Sequence, residues 1–499
     1  MKHYDFLIIG TGAGNIVLDQ ALEQGLSCAQ IEKGDFGGTC LNRGCIPSKI
    51  LITPADLMRE VARLRNLGIL KGELEVDWSN LKDRLFAKTK ENQDILAEYK
   101  AEANLDVYQG TGYFVEDKVL QVKQKDGSTS EKITADIIVL AGGSRTNIPP
   151  IKGLDKVTYL TSETFFQKSF PKKPYQSLTI IGGGVIATEF AHLFANYGTK
   201  VNIVQRNVRL VPKLDHELSA TLLKHFEDRG INCFLNQNSL QVEQDNLGIH
   251  LTIEDKSTKN KQTLTSEALL IAPGVVSNAD LLQLDKTTIK TDERNYVLTN
   301  EYLETSVPNV YALGDLVGQQ QLRHKANYEA EVLAFNLFSP EAKERRRQVR
   351  YDFMPSGVFS DPQLACVGMT EEELQSKNIA YKVGRFDFAD SAKGYALGID
   401  HSENLFTKVL LSEDDQLLGV HIAGPNATDL IQPYINLLYI AQSTSPIYNS
   451  EIATRRTVQE RKLAPRQLRA HYAEALSDAV VIHPSLSETS IWAASTIEE

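Results

Sequence analysis

Two segments of the chain share one pattern, a strand-like apolar run followed by a glycine-rich turn and the start of a helix. The first is Asp5-Phe-Leu-Ile-Ile-Gly-Thr-Gly-Ala-Gly-Asn-Ile-Val-Leu18. That order is the one expected of a dinucleotide-binding crossover. Gly10 would make the tight turn, and Gly12 would let the backbone approach a pyrophosphate at the helix N-terminus. About twenty residues on, Cys28-Ala-Gln-Ile-Glu32 reads as a second strand ending in an acid placed to accept hydrogen bonds from a ribose. Gly10 and Gly12 alone would suit any strand-to-helix turn, so Glu32 in register carries the inference. The third glycine position holds Asn15, which requires close helix-to-strand packing to be achieved in another way.

The second segment, Leu178-Thr-Ile-Ile-Gly182-Gly-Gly184-Val-Ile-Ala187-Thr-Glu189, leads to the strand Lys200-Val-Asn-Ile-Val-Gln205. Two crossovers imply two dinucleotides. Here the strand ends in a neutral residue, with Arg206, Arg209 and Lys213 close behind. An acid would repel a 2′-phosphate, whereas guanidinium groups bind one through paired hydrogen bonds, so the second site favours NADPH over NADH. The alternative is that this basic cluster is a solvated loop.

At 499 residues the chain has room for three or more domains. A net charge of −11 offers no broad basic field for nucleic acid or an anionic membrane, so the expected partners are small molecules or proteins. No apolar run of about 18 residues and no signal-peptide pattern is seen, and a cytoplasmic location is expected. Five cysteines, Cys28, Cys40, Cys45, Cys233 and Cys366, are too few and too scattered for a secreted disulfide framework.

Only Cys40 and Cys45 lie close together, in Gly37-Gly-Thr-Cys40-Leu-Asn-Arg-Gly-Cys45-Ile-Pro-Ser-Lys49. On a helix they would stand about one and a half turns apart, so modest distortion could bridge them. A disulfide there could accept two electrons and release them by thiol exchange. A zinc site would need two further ligands and prefers tighter spacing; no partner pair is evident, and no metal is expected.

This signature resembles that of the pyridine nucleotide-disulfide oxidoreductases, the family of dihydrolipoamide dehydrogenase, glutathione reductase and mycothione reductase. Further motifs extend the resemblance over nearly the whole chain: Tyr311-Ala-Leu-Gly314-Asp315, Phe359-Ser-Asp-Pro-Gln-Leu-Ala-Cys-Val-Gly368, and His483-Pro-Ser-Leu-Ser-Glu488. The resemblance implies an α/β fold, with Rossmann-like FAD and NAD(P) domains and a C-terminal α+β dimerisation domain. The expected bounds are 1–150 with 278–348 for FAD, 151–277 for NAD(P), and 349–499 for the interface.

It also implies roles. FAD would be held at Gly10, Gly12, Glu32, Lys49, Gly112, Gly314 and Asp315, and the nicotinamide nucleotide at Gly182, Gly184, Ala187, Arg206 and Arg209. Lys49 and Glu189 would pair beside the flavin. Cys45 would face the flavin and Cys40 would exchange with substrate. His483, oriented by Glu488, would be the acid-base group and would serve the disulfide of the partner subunit in a homodimer.

Within the family, Gly10–Asp19, Val276–Leu282 and His324–Ala330 resemble the mycothione reductases, which implies reduction of a low-molecular-weight disulfide. The alternative is a dihydrolipoamide dehydrogenase, oxidising dihydrolipoyl groups with NAD. Branches with an extra redox pair near the C-terminus are set aside, because Cys366 is the last cysteine. The chain departs from the family at Pro273-Gly274-Val275, where an Arg often follows the Gly. About thirty extra residues near 442–474 precede the His motif and carry Arg455-Arg-Thr-Val-Gln-Glu-Arg-Lys462. This insertion either shapes the thiol pocket or forms a solvated helix; charge runs favour the solvated helix.

Overall fold

The computed structural model describes residues 1–167, 169–439 and 480–484, so Glu488 and the insertion near 442–474 lie outside the described residues. Strand Lys2–Ile9 stands at the centre of the first sheet. It pairs in parallel with Cys28–Glu32 on one side and Ile133–Leu140 on the other. Leu105–Glu116 extends one edge and Val310–Ala312 the other, both in parallel. Phe6 and Ile8 are buried under helices Asn15–Glu23 and Arg323–Phe338, and Leu7 against Phe114, Leu120 and Val122 on the other face, which is why the strand reads as a continuous apolar run.

The register aligns Ile9 with Ile31 and Leu140, so the turns after all three strands open on the same edge. In open parallel sheets that carboxyl edge is where ligands bind. Gly10 has φ +107°, and a Cβ there would lie 2.3 Å from the Ala141 carbonyl oxygen. The chain must pass under the end of strand Ile133–Leu140, and only glycine fits. The missing third glycine is supplied one residue early. A Cβ on Gly14 would stand 2.6 Å from Ile8 Cδ1, so Gly14 lets the helix Asn15–Glu23 close on the strand. Asn15 is then free to accept a hydrogen bond from Gln30 at 2.9 Å.

The second sheet repeats the construction. Ser177–Ile181 lies between Ala268–Ile271 and Lys200–Val204, with Asn232–Phe234 beyond, all parallel. Gly182 has φ +123° and faces the Ala272 carbonyl as Gly10 faces Ala141. A three-stranded antiparallel sheet, Gln237–Asp245, Gly248–Asp255 and Lys261–Ser266, packs beside it.

A five-stranded antiparallel sheet follows in the order Ser356–Val358, Leu364–Gly368, Leu417–Ala423, Phe406–Leu411, Lys382–Asp387. The whole is an α/β fold with two nucleotide-binding sheets and a third, α+β domain. The segment 480–484 returns to that third domain. Gln432 donates to the Val480 carbonyl at 3.2 Å, and Ile482 is buried with Val420 and Ile435.

A buried cation joins the second and third sheets. Lys408, 1% exposed, lies 2.7 Å from both Asp215 and Glu371 and 3.1 Å from Glu217. Removing it would leave the buried Asp215 carboxylate without its cation. Lys408→Met is expected to lower the melting temperature by roughly 5 °C or more. Calorimetry checks this, and adding Asp215→Asn should recover part of the loss.

Candidate active site

The carboxyl edge of the first sheet opens into a cavity of about 400 Å³ that reaches the second and third domains. Gly10, Gly12, Glu32, Cys40, Cys45, Lys49, Gly112, Glu189, Gly314, Asp315 and His483 all line it. The walls are close-fitting backbone: a Cβ on Gly38 would come within 2.8 Å of Gly12 Cα. Glu32 accepts from the Thr11 hydroxyl at 2.8 Å and from the Gly34 N–H at 2.6 Å. Its carboxylate is thus fixed at the strand end, with lone pairs left for a ribose.

The cysteine segment is two helices rather than one. Gly38–Arg43 ends at Gly44, and Cys45–Asn66 begins beyond it. A Cβ on Gly44 would lie 2.9 Å from the Thr39 carbonyl, so the break depends on glycine. This kink is the distortion that the spacing of the two cysteines requires. Both thiols are reduced, and Cys40 donates a hydrogen bond to Cys45.

The pair therefore shares one negative charge, and it falls on Cys45. The hydrogen bond from Cys40 pushes the Cys45 thiol well below its ordinary value; burial opposes this, and Lys49, His483 and Arg323 add to it. The same hydrogen bond, with burial, pushes Cys40 far up. Cys40 Sγ stands 3.2 Å from His483 Nε2, within reach of proton transfer. The donor atoms of Cys40, Cys45 and His483 lie within 4.8 Å of one another, a soft donor set whose third member is 438 positions from Cys45 in the chain.

Within the single chain described, His483 stands beside Cys40, on a segment that Val480 and Ile482 pack onto the third domain.

Lys49 and Glu189 pair at 2.8 Å. Glu189 also accepts from the Phe359 N–H at 3.1 Å, and Lys49 Nζ lies 4.1 Å from the Phe359 ring centroid. One ion pair thus ties the redox helix, the second crossover helix Val185–Asn196 and the third domain together. Asp315 accepts from Ser144 at 2.6 Å.

The turn before Asp315 rests on residues that sequence reasoning missed. Lys325 and Glu329, both fully buried, pair at 2.9 Å; Lys325 donates to the Gly314 carbonyl and Glu329 accepts from its N–H at 2.7 Å. Their i, i+4 spacing within the 324–330 run was the available signal.

At the second crossover, Gly184 is open to solvent space while Ala187 is fully buried. Ala187 packs the helix on the strand. Gln205 is folded back over the turn, where a Cβ on Gly183 would meet it at 2.9 Å. Arg209 is drawn away from a free position: it pairs with Glu372 at 2.6 Å and donates to the Pro212 carbonyl at 3.1 Å. Arg206 is exposed, and its guanidinium has no partner among the described residues.

The chain matches the family model "Pyridine nucleotide-disulphide oxidoreductase" over residues 4–330 and the dimerisation-domain model of the same family over 354–464. It is 33% identical over 448 residues to mycothione reductase of Mycobacterium tuberculosis, covering 88% of this chain and 93% of that protein. It is 30% identical to a dihydrolipoyl dehydrogenase of Bacillus subtilis, covering 86% and 88%. The HOCl-induced flavoprotein disulfide reductase RclA from Escherichia coli superposes with a TM-score of 0.73 at 23% identity, over 99% of this chain and 100% of that one, a likeness of fold. Among the described residues no helix is long and apolar enough to cross a membrane.

Proposed function

The chain belongs to the pyridine nucleotide-disulphide oxidoreductase family, and from that premise we propose that it uses NADPH to reduce a low-molecular-weight disulfide through Cys40 and Cys45. The observation that carries this reading is the 3.2 Å approach of His483 Nε2 to Cys40, with Cys45 holding the charge of the pair. The glycine-walled cavity fits FAD, held by Gly10, Gly12, Glu32, Gly112, Gly314 and Asp315. Bound FAD supplies the two-electron link between the nicotinamide and the Cys40–Cys45 disulfide.

With both thiols reduced, His483 takes the Cys40 proton and the thiolate attacks one sulfur of the substrate disulfide. The substrate S–S bond breaks, and the departing thiolate receives the proton from His483. The Cys45 thiolate then attacks Cys40 in the mixed disulfide. An internal disulfide forms, and the second substrate sulfur leaves as a thiolate that takes its proton from water. Two substrate thiols are produced for two cysteine thiols oxidised, so electrons balance.

Gln205 and Arg206 support NADPH, since a neutral strand end beside an uncommitted guanidinium suits a 2′-phosphate. We infer a homodimer from the matched dimerisation domain. A reducing cytoplasm is the compartment in which such thiols cycle.

Anaerobic titration of the flavoprotein with NADPH and with NADH tests the reading, followed by turnover on a panel of small disulfides. NADPH should reduce the enzyme much faster. Arg206→Ala should lower kcat/KM for NADPH about tenfold and leave that for NADH within about twofold. Reduction by NADH alone, with turnover of dihydrolipoamide, would replace this reading with the dihydrolipoyl dehydrogenase one.

A further inference from the structure

One guanidinium in the cavity is left without a bonded partner. Arg323 is the first residue of helix Arg323–Phe338, and its Nη1 lies 3.5 Å from where a Cβ on Gly12 would stand. It makes no hydrogen bond or ion pair among the described residues; Cys45 and Asp315 are within its electrostatic reach but not bonded to it. The other cavity cations are answered: Lys49 by Glu189, Arg43 by Glu163, Arg145 by Asp280. Lys33 is exposed and within electrostatic reach of Glu163 and Glu32. Leaving guanidinium donors unbonded in a partly enclosed site is costly, so an anionic acceptor is expected to complete them.

The next residue points the same way. His324, 6% exposed, faces the Pro355 carbonyl with Nε2 at 2.8 Å, which makes that nitrogen the donor and leaves Nδ1 a bare acceptor. Nδ1 is buried without a partner, and His324 lines the same cavity. Burial pushes its pKa down to about 4, so the ring stays neutral and Nδ1 keeps its lone pair at neutral pH. A buried acceptor left open beside an unbonded guanidinium marks a place that a bound molecule fills.

The Gly10–Gly14 turn offers backbone N–H groups to a pyrophosphate but no formal charge, although the ligand carries about two negative charges. We propose that Arg323 supplies that charge, pairing with the FAD pyrophosphate over Gly12, while His324 holds the start of the helix against Pro355 and accepts a hydrogen bond from the same cofactor. The inference rests on the cavity being the FAD site, as proposed above. It assigns the N-terminus of helix Arg323–Phe338 a part in retaining FAD, beside the first crossover.

The test is FAD affinity. Apoprotein of the wild type, Arg323→Met and Arg323→Lys is titrated with FAD at low and high salt, following quenching of flavin fluorescence, with circular dichroism to confirm folding. Arg323→Met should raise the FAD dissociation constant by about tenfold or more, the worth of a charge-assisted hydrogen bond. It should also flatten the salt dependence, with Arg323→Lys between the two. A folded Arg323→Met protein whose FAD affinity is within twofold of wild type would overturn the inference and leave the proposed function standing. Unchanged FAD affinity with a shifted titration of the Cys45 thiolate would also overturn it, placing Arg323 on the thiols alone. If the wild type itself fails to bind FAD, the cavity assignment falls with it.

Discussion

Cys40→Ser and Cys45→Ser should each reduce disulfide turnover by a factor on the order of 10⁴ or more, because each removes a sulfur that must form and break an S–S bond. The two variants should nevertheless look different. In Cys40→Ser the Cys45 thiolate keeps a hydroxyl donor and its cationic surroundings, so the long-wavelength absorbance of a thiolate beside bound flavin should persist at neutral pH. In Cys45→Ser that absorbance should be lost, since the remaining thiol, Cys40, lies on the His483 side. The pH dependence follows from the shift. Cys45 is held below its ordinary value, first by the hydrogen bond from Cys40, so its thiolate is present above that lowered pKa and is lost as pH falls through it. Cys40→Ala removes the donor, and the midpoint of the absorbance should move up in pH. Spectral titration of the three variants checks this. A midpoint that stays put in Cys40→Ala would show that Lys49 and Arg323, not Cys40, hold the charge.

Much of this site was legible because its chemistry is written in short segments. The paired crossovers, Cys40 and Cys45, and the Gly314-Asp315 turn each depend on local spacing, and a glycine whose Cβ would strike a neighbouring carbonyl leaves a mark in the sequence. Gly10 and Gly182 show the principle twice, each beneath an alanine carbonyl at the end of a parallel strand. Even the departure at Asn15 was resolvable in principle, since Gly14 supplies the close approach one position earlier.

Contacts between distant segments were not legible. Arg209 looked like a nucleotide ligand because its partner, Glu372, comes from another domain 163 positions away. Lys325 and Glu329 look like surface residues of a polar helix until burial shows that they clamp the Gly314 backbone. Arg323 carries no motif at all. Its meaning lies in a guanidinium that no side chain hydrogen-bonds among the described residues, which only geometry reveals. The same holds at His483: the motif identifies the residue, but which chain's Cys40 it meets depends on where this segment packs.

That placement yields the sharpest test. His483→Gln should slow disulfide turnover by about 10²- to 10⁴-fold, the usual range for a lost acid-base group, while anaerobic reduction by NADPH keeps its wild-type rate. The split between the two half-reactions separates a proton-transfer role from a general loss of structure. Hybrid dimers of one Cys40→Ser subunit and one His483→Gln subunit then decide whose cysteine His483 serves. If each His483 serves its own chain, one site lacks the nucleophile and the other lacks the base, and the hybrid stays as inactive as its parents. If His483 crossed to the partner, the intact His483 of the Cys40→Ser subunit would meet the intact Cys40 of the other. One site in two would then work, and about half of wild-type activity would return. With His483 Nε2 at 3.2 Å from Cys40 of the same chain, the expected result is no recovery. Recovery near half would mean that this segment docks across the dimer in solution.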